Sequence, residues 1–271
     1  MGTSTRNKGQ NGHSPLIPTW LDGDGNTSPA DGVITQNPVG SIPPDADPNR
    51  FRGPRTSFTN FINSGGRSSS SARTAVSNYV SRSLGGSARA TQRLGSGRGS
   101  TIRLHDILKV LSTGGGIQEI AKQLSIDNLE GLPAKQFFLK IAEFICPDGG
   151  PNDEGMVRSS YFDVISDPDL ASKTTEQLSG EECESVLKNF MTRLIMEHIL
   201  NDIGNKTIVL PDDIDTVSHI EDTVRQIIKQ DVSDAFVEVH TSNTEVTNEV
   251  AQSITDRIYQ KTFELLEGIG N

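Results

Sequence analysis

From Pro48 to His105 the chain carries no Asp or Glu, yet it places ten arginines between Arg50 and Arg103. Such a segment repels itself, so it folds only where carboxylates from elsewhere reach it or where its guanidiniums face solvent. The rest of the chain holds those carboxylates. Up to Arg103 there are twelve bases and five acids, and beyond it thirteen bases and thirty acids, giving the net charge of −10. Three destinations fit the arginines: neutralising the acidic half in cis, docking on an acidic protein partner, or gripping phosphates. Phosphate contacts would add salt-sensitive affinity, but from Arg67 to Arg103 Tyr79 alone is available for stacking on bases. The balance favours cis or protein docking over nucleic acid. The candidate contacts to phosphate or to an acidic partner are Arg82, Arg89, Arg93 and Arg98.

The N-terminal region lacks the oily side chains to fold alone. Prolines at 15, 18, 29, 38, 43, 44 and 48 leave no helical or strand period, and the one dense apolar cluster is Leu16, Ile17, Trp20 and Leu21. Burying those four side chains returns roughly 1.5–3 kcal/mol each, against on the order of 1–2 kcal/mol for each of some twenty backbone residues fixed. The expectation is a disordered or extended tail over 1–66, with that cluster as an anchor for a partner's groove. An arginine-rich helical segment over 67–99 and an acidic all-helical domain over 100–271 follow. Gly2 is small enough for removal of the initiator Met, which exposes an α-amine that is less basic than lysine and a better acyl acceptor at neutral pH. The myristoylation pattern fails at Arg6. Asp22-Gly-Asp24-Gly-Asn26 starts like a calcium loop but fails at Thr27 and Val33.

Beyond the tail, apolar residues recur at helical spacing. Ala72, Val76, Tyr79, Val80 and Leu84 form one stripe, stopped by Gly85-Gly86. A short helix follows with Ala88, Thr91 and Leu94 inward and Arg89 and Arg93 on an exposed face. Residues 95–100 read as a flexible joint. Further helices are predicted over 102–111, with Leu104, Ile107, Leu108 and Leu111 inward, over 117–124, and from Pro133 through Phe137, Phe138, Ile141, Phe144 and Ile145 to Cys146. The Ser179–Glu182 capping box opens the strongest run, Cys183 to Ile199, expected to be a long core helix. Asp212, Asp213 and Asp215 start another helix, and Val246, Val250, Ile254, Ile258, Leu265 and Leu266 mark a last one. Only 206–210 looks strand-like. The fold class is therefore all-α, an irregular helical bundle behind a long tail.

Catalytic and ligand-binding signatures are absent. No Walker loop, GxGxxG turn, H-E-x-x-H helix or Ser-His-Asp order occurs, and no metal or cofactor is expected. Cys183 and His198 lie on the apolar stripe of one predicted helix, which predicts burial. Cys146 and Cys183 have no ligand spacing and no reason to pair in a reducing compartment. With no apolar run of membrane-spanning length and no secretory signal, a cytoplasmic protein is expected.

Several phrases together resemble the QatB family. These are Met1-Gly-Thr-Ser4, Ser14-Pro-Leu-Ile-Pro-Thr-Trp-Leu21 followed by Asp22-Gly-Asp-Gly25, the stretch from Val76 to Ala90, Gln92-Arg-Leu-Gly95, and Cys146-Pro-Asp-Gly-Gly150. QatB is a component of the Qat bacterial anti-phage system, whose other proteins are an ATPase, a QueC-like enzyme and a TatD-like nuclease. The resemblance implies a non-enzymatic defence component. A QueC-like enzyme activates a deazaguanine carboxylate with ATP and normally passes it to ammonia. A protein amine in place of ammonia would give an amide, with Gly2 as the acceptor, Thr3 and Ser4 on the threaded leash, and Leu16, Ile17, Trp20 and Leu21 docking on the enzyme. The ATPase and the nuclease are further candidate partners. The alternative is a nucleic-acid-binding subunit whose arginine segment holds DNA for the nuclease.

Overall fold

In the computed structural model, which describes residues 49–112, 116–147, 152–204, 211–241 and 251–269, each expected amphipathic run within those residues is helical. The elements are α1 (Arg52–Asn63), α2 (Ser69–Asn78), a π-helical turn (Tyr79–Leu84), α3 (Ser87–Arg93), α4 (Ser96–Ser112), α5 (Ile117–Leu124), α6 (Ala134–Lys140), α7 (Ala142–Ile145), α8 (Asn152–Ile165), α9 (Pro168–Ala171), a 3-10 turn (Thr175–Gln177), α10 (Gly180–Gly204), α11 (Ile214–Thr241) and α12 (Ala251–Gly268). Among the described residues the sole β-type pairing is an isolated bridge between Pro133 and Thr174. The strand-like 206–210 and the apolar Val246 and Val250 lie outside the described residues.

Helix α1 falls inside the region expected to be tail. Pro54 sits in its first turn, where a missing amide is harmless, and Phe58, Phe61 and Ile62 share one buried face. Those three side chains join the same hydrophobic cluster as Leu104, Phe190 and Leu266. The arginine-rich and acidic segments likewise share that cluster and form no separate cores. The expected boundaries at 66 and 99 therefore do not divide the packing.

Helix α10 is the axis. Its apolar side chains alternate too densely for one stripe: Leu187, Phe190, Met191, Leu194, Ile195, Met196 and Ile199 are all buried, together with Thr192. A helix apolar on all sides belongs inside a bundle, and α10 packs against α4, α8 and α11. The predicted capping box opens it, with the Glu182 amide donating to Ser179 Oγ at 3.2 Å and the Ser179 amide to Glu182 Oε2 at 3.0 Å. Helix α12 packs on α11, α2, α3 and α4, so it joins the front helices to the acidic ones. Its buried face is broader than the predicted stripe, because Thr255, Tyr259, Thr262 and Phe263 are buried beside Ile258 and Leu266. Tyr259 and Thr101 satisfy each other at 2.7 Å, and Thr262 donates to the Ile258 carbonyl at 2.8 Å.

The expected joint over 95–100 is helix. Gly97 is buried in the first turns of α4, and a Cβ built there would lie 2.4 Å from Leu194 Cδ2 of α10. Glycine at that point permits close approach of two helices, where its freedom as a hinge has no use. The predicted single helix over 133–146 bends at Ile141, whose φ of −93° and ψ of 3° separate α6 from α7. In α3 the inward residues are Ala90, Thr91 and Leu94, whereas Ala88 is exposed.

Two outcomes follow from this packing. Gly97→Ala forces the Cβ into the fully buried Leu194 and should destabilise the protein by about 1–3 kcal/mol in urea unfolding; an unchanged midpoint would show that α4 and α10 can separate freely. Asp231 on α11 is 8% exposed and its Oδ2 has no hydrogen-bond partner. Burial, then Asp234, push its carboxyl up to about 6, with Arg73 opposing. The folded state thus binds this proton more tightly than the unfolded chain, so its contribution is full at low pH and is lost as pH rises through about 6. Asp231→Asn should raise the thermal midpoint by a few degrees at neutral pH and leave it unchanged near pH ~4; the opposite pH dependence would contradict this assignment.

Candidate functional site

The last turn of α10 has carbonyls without intrahelical partners and the negative end of the helix dipole. Arg55 of α1 reaches it, donating from Nε to the Ile203 carbonyl and from Nη2 to the Asp202 carbonyl, both at 3.3 Å. Arg93, the last residue of α3, donates from Nε to Asp202 Oδ2 and from Nη2 to Oδ1, each at 3.2 Å. This is the two-pronged guanidinium–carboxylate geometry that single-point cations cannot make. Tyr79 opens the π-helical turn and donates its hydroxyl to the same Oδ2 at 2.9 Å. Burial first, and Asp202 second, hold its phenol well above the ordinary value, so it stays a neutral donor. Side chains from α1, the π-helical turn and α3 thus converge on one acidic residue.

One turn back along α10, His198 is 4% exposed. It faces a small cavity lined by Tyr79, Arg93, Leu94, Ile195 and Phe263, about 10 Å³ in volume. That is the lower limit for one water and excludes a ligand. Further along the seam Arg98 meets Asp256 through Nε at 2.9 Å and Nη2 at 2.6 Å, and Arg103 donates to the Ile145 carbonyl at 3.1 and 2.8 Å.

The four candidate arginines therefore separate into two pairs. Arg93 and Arg98 are ion-paired within the chain, while Arg82 and Arg89 are exposed and form no ion pair among the described residues. The exposed face expected to carry both Arg89 and Arg93 keeps only Arg89, because α3 ends with Arg93 turned onto Asp202. Gly2, Thr3, Ser4, Leu16, Ile17, Trp20 and Leu21 lie outside the described residues. Neither Asp202 nor Arg55 was expected at this site. Asp202 falls next to the apolar run of α10, and nothing in its spacing marks it as a hub. Arg55 was hidden with α1, whose Phe58, Phe61 and Ile62 carry the helical spacing that would have shown it.

Both cysteine thiols of the bundle are withdrawn from solvent. Cys146 and Cys183 are 3% and 2% exposed, and burial pushes each thiol up to about 11. Among the described residues no three His, Cys, Asp or Glu side chains group as a metal site, and no helix is long and apolar enough to cross a membrane. The open groove between α8, α10 and α11 carries charges already matched, Arg193 with Asp163 at 2.7 Å and Arg225 with Asp222 at 2.7 Å.

Fold and site together define an all-α scaffold whose arginines and acids hold helices to one another. The chain belongs to the QatB family, the Qat anti-phage system associated proteins, whose family model matches residues 85–266. The match begins at Gly85 and takes in Arg89, Arg93, Arg98, Asp202 and Asp256. No curated protein and no solved structure matches the chain. The chain is thus a component of an anti-phage defence system.

Replacing Asp202 by Ala leaves Tyr79 and Arg93 without their shared carboxylate and should cost roughly 2–4 kcal/mol in urea unfolding. Arg82→Ala, on the surface, should stay within about 0.5 kcal/mol of the parent. Equal effects from the two would show that the convergence on α10 holds nothing together.

Proposed function

We propose that this chain binds the QueC-like enzyme of its defence system and presents the amine of Gly2, after Met removal, for deazaguanine-type modification. The carboxyl group, activated with ATP by that enzyme, would be attacked by the glycine nitrogen. A C–N amide bond forms, the activating group leaves with its bonding pair, and the amine's proton passes to solvent. The α-amine suits this step because a larger share of it is unprotonated at neutral pH than of any lysine. Leu16, Ile17, Trp20 and Leu21 would dock the tail, with Thr3 and Ser4 entering the enzyme's site.

The observation that carries this reading is membership of the QatB family. It is supported by the burial of Cys146, Cys183 and His198, which takes both thiols and this imidazole out of reach of a substrate. The competing reading, in which the arginine segment holds DNA for a TatD-like nuclease, loses Arg93 and Arg98 to carboxylates of the chain itself.

The test is intact-mass measurement of the protein produced with and without its QueC-like neighbour. An added mass confined to the first peptide is expected, abolished by Gly2→Ala or by one extra N-terminal residue. An unchanged mass in the presence of an active neighbour, or an addition elsewhere in the chain, would refute the proposal.

A further inference from the structure

Arg55, Arg93, Arg98 and Arg103 are turned inward onto carbonyls and carboxylates. Three of the remaining arginines belong to a single turn or to the chain entry tied to it. Ser83 Oγ donates to the Arg50 carbonyl at 2.8 Å, which ties the entry to α1 to the π-helical turn. Arg82 stands in that turn, next to Ser83. Arg89 reaches back across it, with Nη1 2.9 Å and Cδ 3.2 Å from where a Cβ on Gly85 would sit. Gly85 and Gly86, at φ of +83° and +100°, give the chain the left-handed reversal that brings Arg89 there. Arg82 and Arg89 are exposed, and the half-buried Arg50 lies 4.9 Å over the Phe51 ring. No carboxylate of the described residues pairs with any of the three. Glu267 borders the turn on its α12 side, its Oε2 4.0 Å from the position of a Cβ on Gly86.

Guanidiniums on one turn and the entry tied to it, none of them ion-paired among the described residues, attract an arriving anion. We propose that this turn is a docking site for an acid-rich face of a protein partner, with Arg82 and Arg89 each taking a surface carboxylate in two-pronged fashion and Arg50 adding charge. The forked guanidinium suits planar carboxylates better than an ammonium does, and the segment from Pro48 to His105 contains no lysine. A nucleic acid fits less well. Tyr79 is buried, and the Phe51 ring lies under both Arg50 and Arg55, so no aromatic face is offered to a base. The thirty acids that follow Arg103 also oppose a long polyanion running beyond the patch. The patch adjoins Asn49, where the N-terminal region meets the described helices. Only in taking the docked protein to be the one that receives Gly2 does this inference rest on the preceding reading.

The test is fluorescence anisotropy of a labelled polyglutamate peptide titrated with the full-length chain at low salt. Saturable, salt-sensitive binding is expected, weakened about tenfold or more in R82E/R89E and in R89E alone to a lesser degree. R82K/R89K keeps the charge but removes the fork and should fall between parent and reversal. Thermal midpoints of all three variants should match the parent, since both side chains are exposed. No binding by the parent, equal binding by R82E/R89E, or tighter binding of a single-stranded DNA of equal charge overturns the inference. The Gly2 mass measurement does not enter these titrations, so the two readings fail independently.

Discussion

Asp202 is where the two charge regimes of this chain meet. To a segment of arginines without acids, the end of α10 offers a carboxylate, two main-chain carbonyls and the negative end of a dipole within one turn. Tyr79, Arg93 and Arg55 reach that turn from three successive elements, so the front helices are positioned relative to α10 by directional bonds as well as by the shared apolar cluster. Hydrophobic burial is non-directional. The fork on Asp202 supplies the register that burial leaves open.

This division of labour explains how one segment can be structural and still present charge. Arginines whose side chains fall on the seam with α10, α12 and α7 are consumed there; those that fall around the π-helical turn stay outside. The π-helical turn itself matters to the sorting, because it ends at Gly85 and sends α3 off in the direction that brings Arg93 to Asp202. A straight continuation of α2 would carry Arg93 away from α10. In the proposed function the role in defence belongs to surfaces and to the N-terminal region, with the interior holding those surfaces in place.

Much of the bundle could be read from apolar periodicity. The long α10, the capping box at Ser179 and the burial of Cys183 and His198 follow from spacing alone, because a buried stripe at helical period leaves few alternatives. The misses have physical causes. Helix α1 is short and rich in Arg, Thr, Ser and Asn, so its mean composition resembles the tail, although Phe58, Phe61 and Ile62 share a face. Gly97 read as a joint because glycine serves flexibility and close packing alike, and only the facing Leu194 decides between them. Asp202 could not be found, since pairing between residues so far apart in sequence leaves no local signal. The exposed Arg82 and Arg89 and the inward Arg93 and Arg98 look alike in sequence, and helix ends and the π-helical turn sort them.

Native-state hydrogen exchange on the full-length chain tests most directly whether the arginine segment is part of the globule. If Asp202 joins the two halves, amides of α2 and the π-helical turn should open with the same free energy as those in the middle of α10, and Asp202→Ala should lower the front helices well before α11 and α12. Front helices that exchange freely in the unaltered protein while α10 stays protected would contradict it, and would make the arginine segment a detachable arm.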